Sequence, residues 1–177
     1  MRSRWSPITA TNRLLNFDTA SPGNITINVP ITGLQGGDYV VGIDFRPADG
    51  DLYDVANSGG IYRINVATGA ASLVSTLTAD PTDTSSPFSG LSGDSFGVDF
   101  NPVVDRLRVV SDMEQNLRIN VNSGAVTTDG NLNPGDPSVT GAAYANNFAG
   151  ATSTTLYVIV PHPTPCRSRT HQTTGRS

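Results

Sequence analysis

Residues 42–71, GIDFRPADGDLYDVANSGGIYRINVATGAA, and residues 97–126, GVDFNPVVDRLRVVSDMEQNLRINVNSGAV, are two copies of one unit. A shift of 55 aligns them without a gap. Gly42, Asp44, Phe45, Pro47, Leu52, Val55, Arg63, Ile64, Asn65, Val66, Gly69 and Ala70 recur as Gly97, Asp99, Phe100, Pro102, Leu107, Val110, Arg118, Ile119, Asn120, Val121, Gly124 and Ala125. Twelve identities in thirty positions, turn glycines and prolines among them, are the mark of a repeat-built protein.

Inside a copy, Val41, Ile43 and Phe45 alternate with Gly42 and Asp44, the period of two that a strand imposes. Pro47-Ala48-Asp49-Gly50 is turn chemistry, because proline presets one corner and glycine supplies positive φ. Leu52-Tyr53-Asp54-Val55 predicts a second strand, 57–60 a turn, 61–65 a third strand, 66–69 a hairpin and 71–77 a fourth strand. Four antiparallel strands in about 40–55 residues match one propeller blade.

Partial copies flank the pair. Leu14-Leu15-Asn16-Phe17 reads like Ile61-Tyr62-Arg63-Ile64, and Gly141-Ala142-Ala143-Tyr144 with Leu156-Tyr157-Val158-Ile159 reads like the first half of a unit. The expected architecture is all-β, a propeller-like array of antiparallel four-stranded units, incomplete or open. Whole units lie at about 41–95 and 96–140, partial ones at 8–40 and 141–160. The segments 78–95 and 127–139 are rich in Asp, Ser, Thr, Pro and Gly and predict surface loops on one rim, where binding groups concentrate.

Composition agrees. Of 177 residues, 37% are hydrophobic and only 15% charged, with 18 glycines and 12 prolines, a pattern of short strands and tight turns. The net charge of −4, with every basic residue an arginine, argues against nucleic acid or an anionic membrane surface as partner. No run approaches the ~18 apolar residues of a membrane helix. Cys166, the single cysteine, permits no intrachain disulfide and argues against a structural zinc cluster. The start, Met1-Arg2-Ser3-Arg4-Trp5-Ser6-Pro7, is basic but lacks the apolar stretch of an export signal.

Candidate chemistry is sparse. Gly93-Asp94-Ser95-Phe96-Gly97 spells a nucleophile elbow, but a strand rather than a helix is predicted to follow, and both histidines, His162 and His171, lie in the tail. Asp44 and Asp99 are matched carboxylates between apolar neighbours. They are candidates for a cation site at a central channel, or for acceptors that hold a neighbouring turn. Repetition favours architecture, since an active site needs to be built only once. Arg63 and Arg118 are matched cations expected to pair with Asp44 or Asp99, or to bind a ligand. Asn65 and Asn120 open the Asn-Val hairpins and are expected to cap them. Asp129, Asn131, Asn133 and Asp136 offer oxygens at spacings a calcium loop uses, although Pro134 stands where an EF-hand needs glycine and Thr140 where it needs glutamate. Asn24-Ile25-Thr26 is a formal glycosylation sequon to which no role is given.

The phrases Gly42-Ile43-Asp44-Phe45-Arg46-Pro47, Gly97-Val98-Asp99-Phe100-Asn101-Pro102 with the run to Asp112, and Gln115-Asn116-Leu117-Arg118 resemble domain of unknown function 4394, over roughly residues 8–159. The resemblance implies a propeller-like, bacterial protein of the periplasm or the extracellular space; the family has no agreed activity or catalytic residues, so no chemistry carries over from it. Two departures stand out: no export signal, and a change after residue 160 to Pro161-His162-Pro163-Thr164-Pro165-Cys166-Arg167-Ser168-Arg169. The tail suggests a truncated or shifted reading frame, which translation of the other frames downstream would test. Residues 161–177 carry too few apolar groups to offset their ordering entropy and are expected to be disordered.

Two functions follow as expectations. One is a non-enzymatic binding or interaction module, a fragment of a larger secreted protein, with a protein or carbohydrate ligand and no cofactor. The other is a cation-dependent hydrolase or lyase whose acids, such as Asp44, Asp99 and Asp94, converge around a calcium ion at a central channel. Propellers close with four to eight blades, so an open array is expected to self-associate through its exposed blade faces and edges.

Overall fold

The computed structural model describes residues 4–5, 11–133, 135, 137–161 and 170–173. Among them there is no helix. The strands are β1 (Arg4–Trp5), β2 (Arg13–Asp18), β3 (Ile25–Pro30), β4 (Val40–Phe45), β5 (Leu52–Ala56), β6 (Gly60–Ile64), β7 (Ala71–Thr76), β8 (Thr78–Ala79), β9 (Phe96–Asn101), β10 (Arg106–Ser111), β11 (Asn116–Ile119), β12 (Ala125–Thr128), β13 (Gly141–Tyr144), β14 (Leu156–Ile159) and β15 (Thr170–Thr173). They form four sheets, none closed on itself: β1-β2-β3, β4-β5-β6-β7, β9-β10-β11-β12 with β8 added beyond β12, and β13-β14-β15. All strand pairings are antiparallel except β8 on β12, and the isolated Thr32–Ala70 bridge is parallel as well.

The same residues set the same register in each unit. Phe45 stands opposite Leu52, Phe100 opposite Leu107, and Tyr144 opposite Leu156. Tyr53, Arg108 and Tyr157 are therefore equivalent, as are Asp54, Val109 and Val158, and Val55, Val110 and Ile159. Asn65 and Asn120 cap their hairpins as expected: Asn65 Oδ1 accepts the Ala67 and Thr68 N–H groups at 3.0 and 3.2 Å, and Asn120 Oδ1 accepts the Asn122 N–H at 3.1 Å.

The first three sheets are tied by chain that leaves the last strand of one and runs along the edge of the next. After β7 the chain bends at buried Leu77 and runs on as β8 along the edge of the next sheet, where the Thr78 N–H donates to the Gly124 carbonyl at 2.9 Å. After β3 it bends likewise at Ile31, and the Thr32 N–H donates to the Gly69 carbonyl at 3.0 Å. Gly69 and Gly124 have φ of 74° and 76°, and a Cβ on either would strike the carbonyl oxygen of Pro30 or Thr76 in the crossing chain. The hairpin turn and the crossover thus both need glycine there.

The first strands of the units lie together, with β9 against β4 on one side and β13 on the other. A Cβ on Gly97 would sit 2.5 Å from the Ala142 nitrogen and 2.6 Å from the Gly141 carbonyl carbon, while one on Gly42 would overlap Val98 Cγ2. These glycines let the first strands of adjacent units approach.

A core fills each gap between successive sheets. Leu14, Ile31, Val40, Leu52 and Ile64 pack between the first and second. Tyr53, Val55, Ile61 and Leu77 meet Phe100, Leu107, Leu117 and Ile119 of the third. Val110 packs with Leu132, Val139, Leu156 and Val158 against the fourth. On β5, Leu52 faces backward and Tyr53 and Val55 face forward, so every residue of this strand is buried. Of the tail at 161–177, Thr170–Thr173 pair with β14 as β15; residues 162–169 and 174–177 lie outside the described residues.

Candidate functional site

The matched aspartates clamp neighbouring sheets. Asp44 Oδ2 accepts the Phe100 N–H at 2.8 Å, and Asp99 Oδ1 accepts the Tyr144 N–H at 3.0 Å. Phe100 and Tyr144 are equivalent, so one bond is made twice: a carboxylate of one unit's first strand holds the main chain of the next unit's first strand. Burial pushes both carboxyls up, Asp44 to about 6 and Asp99 to about 8. For Asp99 the charge of Asp44 adds to burial; for Asp44 the Phe100 and Phe45 N–H groups and the Asn147 side chain pull the other way. Near neutral pH the pair holds one proton and one negative charge.

This clamp, made twice within the repeat, is the decisive local feature. Residues 13–162 match the family described as domain of unknown function (DUF4394). The chain belongs to the DUF4394 family. No curated protein matches it.

In this DUF4394 chain the arginines do not meet the clamp aspartates. Asp44, Tyr53 and Arg63 form one row across β4, β5 and β6, as Asp99, Arg108 and Arg118 do across β9, β10 and β11. Each arginine is two strand spacings, about 10 Å, from the aspartate in its row, with another side chain between. Arg63 pairs instead with Asp51 at 3.1 Å, both half-exposed, and lines a shallow groove of about 450 Å³ with Ile64, Asn65, Ala70 and Ser72. Arg118 pairs with Asp129 at 2.9 Å.

The middle of the second row carries a network that comparing the copies does not reveal. Arg108 Nη1 donates to Asp129 Oδ2 at 2.6 Å and to Asn116 Oδ1 at 2.7 Å, and its Nε donates to the Tyr144 hydroxyl at 3.2 Å. Asp129, first of the residues placed in a calcium loop, thus accepts from Arg108 on one oxygen and Arg118 on the other. Asn131 Nδ2 donates to Glu114 at 3.4 Å and Asn133 Nδ2 to the Asn131 carbonyl at 3.4 Å. Asp136 and Pro134 lie outside the described residues. Among the described residues no three His, Cys, Asp or Glu side chains gather as a metal-holding group.

Asp94 is exposed, its N–H donating to Asp112 Oδ1 at 3.0 Å. Strand β9 follows Ser95 directly, so the helix a nucleophile elbow needs is not there. His162 and Cys166 lie outside the described residues.

Two further residues escaped the repeat-based search. Arg46 joins the second and third sheets, donating from Nε to Asp105 Oδ1 at 2.8 Å and from Nη2 to Asp105 Oδ2 at 2.5 Å; its partner holds it charged, and it in turn lowers Asp105. The other copy has Asn101 here, which caps its own turn through Val103 and Val104. Asp54 is fully buried, and neither carboxyl oxygen has a hydrogen-bond partner. The Tyr62 N–H opposite favours the charged form without reaching bonding geometry, and burial, with a smaller push from Asp38, lifts the carboxyl to about 7. A subtraction of one copy from the other would have exposed Asp54, because Val109 is its equivalent.

Proposed function

We propose that the chain is a non-enzymatic binding module, its sheets arranged as propeller blades around the inner strands β4, β9 and β13. The observation that carries this reading is the division of labour between shared and unshared residues. Asp44 and Asp99, the shared acids, each bond the main chain of the next inner strand. The loop at 78–95, much longer than its counterpart before β4, is bolted to its own sheet. Asp83 Oδ2 accepts the Thr128 N–H at 2.8 Å, Gln115 bonds Ser92 and Gly90 at 3.0 and 2.8 Å, and Phe88 and Leu91 pack on the core. Its serines, threonines and prolines are left as an ordered polar surface, suited to a protein or carbohydrate ligand. A position outside the cytoplasm, expected from the family resemblance, suits such a module.

A second reading, a cation-dependent hydrolase or lyase, draws on the proximity of Asp44 and Asp99. Thermal melts with and without divalent ions separate the two. The binding module predicts an unchanged melting temperature with calcium, and retention on an array of glycans or proteins that is lost when 82–86 becomes a glycine-serine linker. A calcium-dependent rise in melting temperature, abolished by Asp44→Asn, would overturn the first reading in favour of the second.

A further inference from the structure

We propose that the segment 33–38, which joins β3 to β4, is a proton-coupled latch: it closes over Asp54 while that carboxyl is neutral and lifts to admit water when the carboxyl ionises. Asp54 shares the rear face of β5 with Leu52, is fully buried, and has no hydrogen-bond partner on either oxygen. Its surroundings offer none. In register, β4 sets Ile43 beside it and β6 sets Tyr62. The first sheet presents Leu14. Arg13 turns the other way, its Nε on Asn28 Oδ1 at 2.7 Å, and Asp18 caps its own turn through the Ala20 N–H at 2.9 Å. Asp38 of the segment is the one charged group that acts on Asp54 among the described residues, and its charge has the wrong sign. A carboxylate placed there could be stabilised only by water, and the closed segment keeps water out.

The segment is fastened at few points. Leu34 packs on the core between the first and second sheets. A Cβ on Gly60 would lie 2.5 Å from Tyr62 Cε2, so the ring runs along its own strand over the missing side chain. Its hydroxyl accepts the Gln35 N–H at 3.0 Å and donates to Asp38 Oδ2 at 3.3 Å, an oxygen that also accepts from Ser58 Oγ at 2.9 Å. Gln35, Gly36 and Gly37 are exposed, and Gly33 and Gly37 have φ of 88° and 91°. Glycine at both ends supplies the freedom of a hinge. A rim segment held by one phenol and one serine opens without unfolding the sheets below it. In the next unit Val109 stands in place of Asp54, and the longer connection at 77–95 is held by Asp83 on the Thr128 N–H at 2.8 Å. Neither half of the device recurs there.

The sign follows from what opening does to the proton. Closed, the carboxyl sits near 7; hydrated, it returns toward its ordinary 3.8. Opening therefore releases a proton and gains about tenfold per pH unit between those two values, levelling off above them.

Amide hydrogen exchange of the whole chain, followed by NMR and corrected for the intrinsic rate, is the test. Between pH 5 and 7 the Gln35 amide should lose about a hundredfold in protection, by an amount that low urea leaves unchanged, as a local opening requires. In Asp54→Val its protection should stay constant over that range. In Tyr62→Phe, which removes the hydroxyl that holds the segment, protection should be lost already at pH 5. Constant protection in the parent overturns the proposal, as does a loss that persists in Asp54→Val. A loss that grows with urea, which would mark unfolding of whole sheets, overturns it too, and so does a Tyr62→Phe variant that keeps the parent's protection at pH 5.

Discussion

Asp54 sits where Val109 and Val158 sit in the following units, on a strand otherwise wholly apolar. A buried carboxyl without a hydrogen bond costs about 1–3 kcal/mol, and ionising it costs more. Asp54→Val should therefore stabilise the chain by about 2 kcal/mol in urea unfolding at pH 5, close to the cost of the unsatisfied group, and by more at pH 8. Tyr62 and Asp38, whose groups are bonded to each other at 3.3 Å, share its surroundings, so the gain belongs to the interface of the first and second sheets. The residue scale also separates what repeats from what does not. Asp44 and Asp99 were visible as matched carboxylates expected to accept from a neighbouring turn, but their donors are the Phe100 and Tyr144 N–H groups of the next unit's first strand. Arg46, Arg108 and Asp54 were not visible, because each stands at a position where the copies differ and a search by identity passes over it.

At the scale of the elements, the closeness of β4, β9 and β13 depends on the missing side chains of Gly42 and Gly97. The two sites differ in what a methyl group would meet: main chain of Gly141 and Ala142 at Gly97, the Val98 side chain at Gly42. Gly97→Ala should cost about 3 kcal/mol, at the upper end of overpacking effects. Gly42→Ala should cost less, and Val98→Ala should recover part of that loss in a double-mutant cycle while leaving Gly97→Ala uncorrected. Equal costs and no rescue would show that the inner strands can separate freely. The strand boundaries within the units were legible from alternation and turn residues, since both are local. The crossover that makes β7 and β8 one continuous path over two sheets was not. Its parallel pairing joins residues whose sequence neighbours carry no sign of it.

For the whole molecule, the buried acids set the pH dependence. Asp44, Asp54 and Asp99 have folded values near 6, 7 and 8 against an ordinary 3.8. Between pH 4 and 8 the folded chain therefore holds more protons than the unfolded one, and stability falls as pH rises through that window. For Asp54 alone the difference amounts to about 4 kcal/mol. Asp105, lowered by Arg46, acts in the opposite sense and loses its contribution as pH drops through its folded value. Melting temperature should peak in mildly acidic solution and decline toward pH 8. Asp99→Asn, which keeps an acceptor for the Tyr144 N–H, should flatten the upper part of that decline, and a profile rising to pH 8 would contradict the assignment of these carboxyls as protonated.

The amino-acid sequence by itself determined the unit: its strands, turns, caps and repeat period, and through them an all-β chain of the DUF4394 family. These are legible because a strand's alternation, a glycine's positive φ and an asparagine cap each act over a few residues. Only the tertiary structure decided what each sheet does to the next. Which carboxylates are clamped and which arginines neutralise Asp129 depend on groups brought together across 45 and 56 residues of chain for the clamps and across 21 and 11 for the arginines, where no local rule reaches.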